Sequence, residues 1–469
     1  MVCTSSDCLL HQRRRVKLDP DCGKDGSCCR GPQTSICNGS AIIDKLTSLY
    51  AEREFCDIEL TVTGVDQIFY AHKLILSLSS PVFKAMLTPR SHWSESSSDR
   101  ITLEEDPICR DSFDSFLRYL YSGRVDLDCD SALPMLMLAD KYQVSDLSTI
   151  CIEYMIERVA PDRALLWYRY TAASVHAELH DICKKSVAWN FDTVLASSDF
   201  LALDADSLAE FLAHSNIVVR DEFTVFEGVQ RWVRANRAKN TTTRRLTSLI
   251  RFPMIPARRL PRLLESENRV ESYILEKMEE SRRFHAVPPP VKWGRCAAKY
   301  MFVPRNYTDE LWCATLMIHR FSELDSNVVR GFMFATPISA SAADASRSWD
   351  WNVNVYPKGI RFAAGMMIGA TRNYEIAETI YETVRISVVA NGDEVRSVNL
   401  VMVIYGRGIE TGSEFVRHVV QRRCTFDSSS SCCVIDDLIP YRELNCDRSR
   451  YLCGADSDTF KISIIVKPV

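Results

Sequence analysis

The chain has 469 residues, of which 46% are hydrophobic and 25% are charged, and a formal net charge of −4 at pH 7. This length and ordinary composition predict about three globular domains of roughly 100–200 residues each. The small net charge argues against a nucleic-acid-binding surface, and no apolar run reaches the ~18–20 residues that a membrane span needs.

Residues 1–40 are rich in Cys, Ser, Gly and charged residues and poor in aliphatic ones, which predicts a disordered or loosely ordered arm. The arm holds six of the 18 cysteines, at Cys3, Cys8, Cys22, Cys28, Cys29 and Cys37. These six cysteines could form a disulfide knot, bind a metal or remain reduced thiols. The lack of a Cys-x-x-Cys pair disfavours zinc. The N-terminus lacks the apolar core of a secretory signal, so we expect a cytoplasmic or nuclear protein rather than a secreted one.

Between residues 56 and 123 the spacing of apolar residues predicts a compact α/β unit. Residues 56–60 (CDIEL) alternate as a half-buried strand does, and residues 68–70 (IFY) predict a second strand after a turn. Ser80 and Pro81 place a cap and a first-turn proline before a helix. Asp111 predicts the start of a further helix that ends at Gly123. Spacing alone indicates no chemical site here.

The same stretch resembles a BTB/POZ domain. The resemblance is carried, in order, by residues 56–60 (CDIEL), 69–73 (FYAHK), 79–83 (SSPVF) and 116–123 (FLRYLYSG). It assigns residues 41–155 to an α/β BTB/POZ domain, and it implies a homodimer that binds other proteins. An amphipathic helix is predicted at residues 41–50, and such a leading helix often packs across the dimer in BTB domains. An edge strand is predicted at Val125 and Leu127.

Residues 156–286 have helical spacing almost throughout. Residues 221–233 (DEFTVFEGVQRWV) resemble the signature of a BACK domain, the helical module that commonly follows BTB, and residues 250–253 (IRFP) fit its later part. We therefore expect an all-α BACK domain at residues 156–286, with an unrelated helical bundle as the alternative.

Residues 287–290 (VPPP) predict a stiff linker, after which the apolar period changes to two. Residues 351–355, 384–388, 398–404 and 460–466 alternate as strands, and Asn391-Gly392 predicts a hairpin turn. This pattern predicts an all-β sandwich at residues 291–469, free to move behind the linker. Residues 351–359 (WNVNVYPKG) resemble a strand and turn of TRAF/MATH domains.

The order of the three parts resembles the BTB/POZ domain-containing protein 17 family, over roughly residues 40–469. Three further stretches look like that family: residues 282–286 (RRFHA), 302–307 (FVPRNY) and 464–469 (IIVKPV). Some relatives carry a signal peptide and are secreted, and this chain departs from them at its N-terminus.

Two groups of residues match partner-binding positions of BTB domains. Asp57, His72 and Lys73 match a charged groove at the dimer centre, where a carboxylate and a cation would set the register of the two subunits. Exposed, unrelated charges are the alternative. Trp93 and Glu95 match the hydrophobic-x-Glu motif of BTB proteins that recruit cullin three, which implies a Trp that fills a pocket of the cullin. Alternatively, Trp93 folds back onto its own domain.

Residues with catalytic or metal-binding spacing are not evident. The chain has no Gly-rich phosphate loop, no His-Glu-x-x-His and no Gly-x-Ser-x-Gly. We interpret His319 and His418 as solvated surface residues, and Cys432 and Cys433 as thiols of a mobile Ser-rich loop. We therefore expect no enzymatic activity, no cofactor and no metal.

The leading hypothesis is a dimeric adaptor of a cullin-three RING ubiquitin ligase. Its expected partners are a second copy of the chain, the cullin-three scaffold and an unknown protein substrate held by the C-terminal sandwich. Nucleic acid and a membrane span are not expected. The alternative is a cullin-independent dimeric BTB–BACK scaffold, intracellular or secreted like galectin-binding relatives.

Overall fold

A computed structural model of the chain describes residues 39–88, 99–172, 174–265, 272–286, 299–342, 346–362, 379–392, 394–408, 412–428, 430–436, 438–446 and 449–469. Residues 1–38 of the predicted arm and the predicted linker at 287–290 lie outside the described residues. Trp93 and Glu95 lie outside them as well.

The first unit is a three-stranded sheet covered by helices. Its strands are β1 (Ile58–Val62), β2 (Ile68–Ala71) and β3 (Arg100–Leu103). Strand β1 is central, antiparallel to β2 and parallel to β3. The helices of this unit are α1 (Gly39–Ala51), α2 (Lys73–Ser79), α3 (Pro81–Leu87), α4 (Phe113–Ser122), α5 (Ala132–Lys141) and α6 (Ser145–Arg158). The predicted α/β class is confirmed.

Local sequence signals explain two of these helix ends. The hydroxyl of Ser80 accepts a hydrogen bond from the backbone N–H of Phe83 (3.1 Å), and Pro81 occupies the first turn of α3. Gly123 ends α4 in the left-handed conformation, with φ of 63°. Both signals were predicted from the sequence and both are confirmed.

Two local predictions in this unit are wrong. Helix α4 starts at Phe113 with Ser112, not Asp111, in the cap position. The strand predicted at Val125 and Leu127 is absent, and residues 124–128 form an irregular connection. A carboxylate oxygen of Asp128 accepts hydrogen bonds from the backbone N–H groups two and three residues later, which turns the chain into α5 instead.

The second unit is helical, as predicted. Its helices are α7 (Pro161–Thr171), α8 (Ala177–Trp189), α9 (Phe191–Ala196), α10 (Ala205–Ala213), α11 (Glu222–Ala235), α12 (Asn240–Ser248), α13 (Arg262–Glu265) and α14 (Ser272–Ala286). Asp221 caps α11, because its carboxylate accepts a hydrogen bond from the backbone N–H of Thr224 (2.8 Å). One short strand, β4 (Val218–Val219), precedes that cap.

The third unit is a β-sandwich, as predicted. Its elements are β5 (Asn306–Tyr307), β6 (Cys313–Ile318), β7 (Arg330–Pro337), β8 (Ser348–Tyr356), β9 (Ile360–Phe362), β10 (Thr379–Tyr381), β11 (Arg385–Asn391), β12 (Arg396–Arg407), β13 (Glu414–Phe426), β14 (Cys432–Ile435), α15 (Tyr441–Leu444), β15 (Leu452–Cys453) and β16 (Thr459–Pro468). One sheet has the order β14-β11-β8-β7, and the other has β13-β12-β16-β15 with β6 also paired to β16. The second apolar core of the chain lies between the two sheets.

Two sequence interpretations of the sandwich are wrong. Asn391-Gly392 does not close a hairpin, because β11 and β12 belong to different sheets. The turn, with Gly392 at φ of 107°, instead carries the chain from one sheet to the other. Cys432 and Cys433 do not lie in a loop, since they begin β14, which pairs with β11.

The sandwich is packed against the helical unit, so the predicted freedom of movement behind the linker is wrong. Strand β12 is buried on both faces. Val398 and Leu400 face the inside of the sandwich, whereas Val401 and Val403 belong to the same apolar core as the first two units. Separating the units would expose these side chains to water, at a cost of about 25 cal/mol per Å² of apolar surface.

Candidate functional site

Large apolar side chains are exposed on the first two helices. Leu74 and Leu78 lie one turn apart on α2 and are 67% and 75% exposed. Ile42 on α1 is 61% exposed, and Phe55, which follows α1, is 84% exposed. We call these four residues the α1–α2 face. Large apolar side chains exposed on two helices of the same domain indicate a surface that another protein covers.

A tyrosine of α4 holds α1 and the start of α2 together. The ring of Tyr121 lies 4.9 Å from the ring of Tyr50 on α1. Its hydroxyl accepts a hydrogen bond from the backbone N–H of His72 (2.9 Å) and lies 2.8 Å from Nδ1 of the same residue. The end of α1 and the start of α2 therefore both contact Tyr121 of α4.

The three residues of the predicted charged groove occupy different environments. His72 is buried, with Nε2 2.7 Å from the carbonyl oxygen of Glu54. Asp57 is exposed and accepts a hydrogen bond from the backbone N–H of Lys73 (2.7 Å) at the start of α2. The ammonium of Lys73 forms an ion pair with Asp99 (2.9 Å) instead. The structure thus brings Asp57 and Lys73 together at the surface with His72 behind them, and their role in a dimer stays a prediction.

The predicted cullin loop lies between α3 and β3. Trp93 and Glu95 are outside the described residues, which resume at Asp99 before β3. Their role stays a prediction.

A cleft of about 820 Å³ lies where the first unit meets the second. Asp140 of α5 is its polar centre. The carboxylate accepts hydrogen bonds from the hydroxyls of Tyr170 (2.6 Å) and Ser148 (3.1 Å), and Nε2 of His176 lies 2.8 Å away. The sequence does not predict this cleft, because these residues lie on different elements and share no local motif.

The second and third units are joined by backbone pairing and by a side-chain amide. Strand β4 pairs in parallel with β5, with Val218 opposite Asn306. At the edge strand β13, the amide of Asn190 donates a hydrogen bond to the carbonyl oxygen of Val416 (2.9 Å) and accepts one from its N–H (2.7 Å). The amide thus replaces a neighbouring strand at this edge, which would otherwise be open to pairing.

A buried ion pair lies at the centre of this junction. Glu222 and Arg305 are both fully buried, with Nε of Arg305 2.9 Å from a carboxylate oxygen of Glu222. The same carboxylate accepts hydrogen bonds from the hydroxyl of Tyr307 (2.5 Å) and the backbone N–H of Arg251 (2.8 Å). We call Glu222, Arg251, Arg305 and Tyr307 the junction cluster. Every partner is a donor, as a buried carboxylate requires.

The junction cluster favours a charged carboxylate. Burial alone would raise the pKa of Glu222, but the charges of Arg305 and Arg251 and the hydrogen bonds hold it below its ordinary value. Because the pKa is lower in the folded chain, this stabilisation is present at neutral pH and is lost as the pH falls through the lowered pKa.

Lys467, beside the junction cluster, favours its uncharged form, whereas Glu222 favours its charged form. Burial and the nearby charge of Arg251 lower the pKa of Lys467 from its ordinary 10.5 to about 7. Its amine donates a hydrogen bond to the side-chain oxygen of Asn306 (2.6 Å). Burial of Lys467 therefore favours the neutral amine over the charged ammonium.

Replacing Lys467 by methionine should flatten the pH dependence of stability. Between pH 7 and 10.5 the unfolded chain binds the extra proton at residue 467, so the free energy of unfolding rises with pH. We expect the wild type to gain about 1 kcal/mol per pH unit over Lys467→Met across this window. Urea unfolding of both proteins from pH 7.5 to 9.5 measures this. Parallel curves would show that Lys467 keeps an ordinary pKa.

One predicted surface histidine belongs to the junction. His418 of β13 packs edge-on against Trp189 of α8 with ring centroids 5.9 Å apart, and burial lowers its pKa. The interpretation of His418 as solvated is wrong, because α8 covers it. His319 is exposed, as predicted, and Nδ1 lies 3.1 Å from the hydroxyl of Thr459.

Comparisons with known proteins match each of the three units to a known domain family. Residues 46–159 match the family model of the BTB/POZ domain, residues 164–265 match that of BACK (BTB And C-terminal Kelch), and residues 302–469 match the BTBD17 TRAF domain. The chain is 28% identical over 459 residues to human BTB/POZ domain-containing protein 17, covering 93% of this chain and 90% of that protein.

The chain is similar along nearly its whole length to the BTB/POZ domain-containing protein 17 family. The Xenopus laevis member is 24% identical over 450 residues, which cover 91% of this chain and 90% of that protein. Galectin-3-binding protein of Bos taurus is 28% identical over 322 residues, or 65% of this chain and 55% of that protein. Domains of these types are typically interaction modules, so this BTB–BACK–TRAF chain is a protein-interaction adaptor.

The junction cluster lies between two of these family domains. Glu222 and Arg251 belong to the BACK domain, whereas Arg305 and Tyr307 belong to the TRAF domain. Within the described ranges, no group of three His, Cys, Asp or Glu side chains is placed to hold a metal ion. Each helix of the described residues is too short or too polar to cross a bilayer.

Proposed function

We propose that this BTB–BACK–TRAF chain is a homodimeric adaptor that brings a protein substrate to a cullin-three RING ubiquitin ligase. The observation that carries the proposal is the exposed α1–α2 face of the BTB domain. A second copy that covers Ile42, Leu74 and Leu78 with its own α1–α2 face would remove these side chains from water. A twofold axis allows one surface to serve both subunits.

Two features of the chain support the cullin part of the proposal. The segment between α3 and β3 carries Trp93 and Glu95, and a tryptophan in a serine-rich segment is a suitable anchor for a partner pocket. The cleft around Asp140 and His176 lies at the BTB–BACK boundary, where a BACK domain would extend a cullin contact begun on the BTB domain.

The substrate part rests on the sandwich. Strand β7 pairs with β8 and is at the edge of its sheet in the described part of the chain. Met333 on this strand is 74% exposed. An open edge with exposed apolar side chains can accept an extended peptide as an added strand. Because the TRAF domain is packed on the BACK domain, a bound peptide would keep a constant distance from the cullin, and two such sites in a dimer would add avidity.

The alternative is a cullin-independent scaffold. It is favoured by the similarity to galectin-3-binding protein, which covers 65% of this chain. A scaffold of that kind would dimerise through the same α1–α2 face and bind a galectin-like partner without a ligase. The ligase role requires a cytoplasmic or nuclear protein, whereas the scaffold role is compatible with secretion. Binding to purified cullin three separates the two.

Replacing Trp93 and Glu95 together by alanine should weaken cullin-three binding about thirtyfold or more. The loss of a buried interface aromatic typically costs ~2 kcal/mol or more. Calorimetric titration of cullin three with the wild type and with the double variant measures the change. The matched control is Ser94→Ala with Ser96→Ala, which alters the same segment and leaves Trp93 and Glu95 in place.

The outcomes of this titration are distinct. An unchanged melting temperature and an unchanged dimer mass, together with lost binding, would support the motif. A variant that also melts early would assign Trp93 to the core of its own domain. A wild-type chain without measurable affinity would overturn the ligase proposal and leave the scaffold.

A further inference from the structure

Two cysteines of the TRAF domain face each other across the two sheets. Cys424 lies on β13, opposite Val398 of one sheet, and Cys433 lies on β14, opposite Val388 of the other. Side chains alternate along a strand. Cys424 therefore faces inward like the buried Phe426, and Cys433 faces inward while its neighbour Cys432 is exposed.

The two thiols are already very close. Their sulfur atoms lie 2.6 Å apart, in residues nine positions apart in the sequence. Non-bonded heavy atoms pack best at roughly 3.5–4.0 Å, whereas a disulfide bond is about 2.05 Å long. Both residues are free cysteines at the margin of the inter-sheet core. The fold therefore holds this pair closer to bonding distance than to ordinary contact, and bonding needs little movement of the strands.

We propose that Cys424 and Cys433 form a disulfide that links the two sheets of the TRAF domain when the chain meets a small disulfide oxidant such as glutathione disulfide. One thiolate attacks the oxidant, forms a mixed disulfide and releases one glutathione. The second thiolate then attacks the mixed disulfide and releases the other. The protein loses two protons and two electrons, and glutathione disulfide is reduced to two glutathione molecules.

The link has a structural consequence beyond the pair itself. It ties β13 to β14, and β13 is the strand whose other end is bound by Asn190 of the BACK domain. A covalent bond between the sheets restricts the unfolded chain and should raise the melting temperature of the TRAF domain by several degrees. The sandwich would then resist unfolding in an oxidising compartment without any change in its partner-binding surfaces.

Peptide mapping of the full chain tests the proposal. The chain is purified in reductant, transferred to glutathione disulfide, alkylated and digested with a protease that cleaves before aspartate. Cleavage at Asp427 and Asp436 separates Cys424 from a fragment that holds Cys432 and Cys433. We expect the two fragments to be linked in the wild type and in Cys432→Ser, and not in Cys424→Ser or Cys433→Ser.

Several results would overturn the proposal. These are alkylation of both Cys424 and Cys433 in the oxidised wild type, a link that disappears in Cys432→Ser, and glutathione adducts in place of the cross-link. Melting curves give an independent readout. The oxidised wild type should melt above the reduced wild type, whereas Cys433→Ser should melt at the same temperature in both conditions. An equal shift in the variant would contradict the assignment.

Discussion

Replacing Glu222 by alanine is expected to lower the free energy of unfolding by about 3–5 kcal/mol, because it leaves the guanidinium of Arg305 buried without its carboxylate. The variant also removes the acceptor for the hydroxyl of Tyr307 and for the backbone N–H of Arg251. Since these donors come from both the BACK and the TRAF domain, the loss should loosen the packing between the two domains.

The matched control is Glu227→Ala on the same helix, where the side chain is exposed and a change within about 0.5 kcal/mol is expected. Urea unfolding measures the stability of both variants. Glu222→Ala combined with Arg305→Ala should cost less than the sum of the two single changes, because the second change removes the unpaired charge. Equal stability of Glu222→Ala and Glu227→Ala would contradict the role of the junction cluster.

Replacing Leu74 and Leu78 together by aspartate should convert the proposed dimer into a monomer. Two like charges placed in the proposed apolar interface would lose their water without gaining a partner, and this cost would outweigh the apolar contact between the subunits. Light scattering should give a mass near 53.4 kDa for the variant and twice that for the wild type. The affinity of the proposed dimer should fall by about a hundredfold or more, since each tenfold loss corresponds to about 1.4 kcal/mol.

Val175→Asp is the control for this experiment. Val175 is 93% exposed in the BACK domain and lies outside the α1–α2 face, so the same change should leave the dimer intact. Both leucines are exposed in the isolated chain, and the double variant should therefore keep the melting behaviour of a folded monomer. A variant that remains dimeric would place the subunit contact elsewhere.

The three folds can be predicted from the sequence because each depends on local patterns, namely the spacing of apolar residues and the signals at helix ends. Alternation at residues 398–404 and 460–466 identified β12 and β16, and the residues around Ser80 and Gly123 marked helix ends. Patterns of this kind depend on neighbours in the chain, which the sequence displays directly. The predictions at Val125 and at Asn391-Gly392 are wrong because they depend on strand pairing. Whether a strand forms, and which strand it pairs with, is set by residues that are distant in the sequence.

The junction cluster could not be predicted in the same way. Residues 302–307 and 464–469 resemble family stretches, and they contain Arg305, Tyr307 and Lys467. Glu222, the partner of Arg305 and Tyr307, lies 83 positions before Arg305. Local spacing cannot show which distant charge a residue contacts. The two stretches therefore show a resemblance to the family but not the physical reason for it. Packing of the TRAF domain on the BACK domain supplies that reason.

The third family stretch has a similar explanation. Residues 282–286 include His285, whose Nε2 lies 2.8 Å from the carbonyl oxygen of Ile255 and whose Nδ1 accepts a hydrogen bond from the backbone N–H of Ala342 (3.3 Å). His285 thus connects the end of α14 to the sandwich as well. All three stretches lie at the contact between domains, where the sequence must suit two surfaces at once.

Sedimentation of the wild-type chain mixed with purified cullin three tests the central claim most directly. The mass of the complex reports dimerisation and cullin binding in one measurement. The adaptor account predicts a saturable complex of two chains and two cullins. A chain that sediments unchanged beside free cullin three would contradict it.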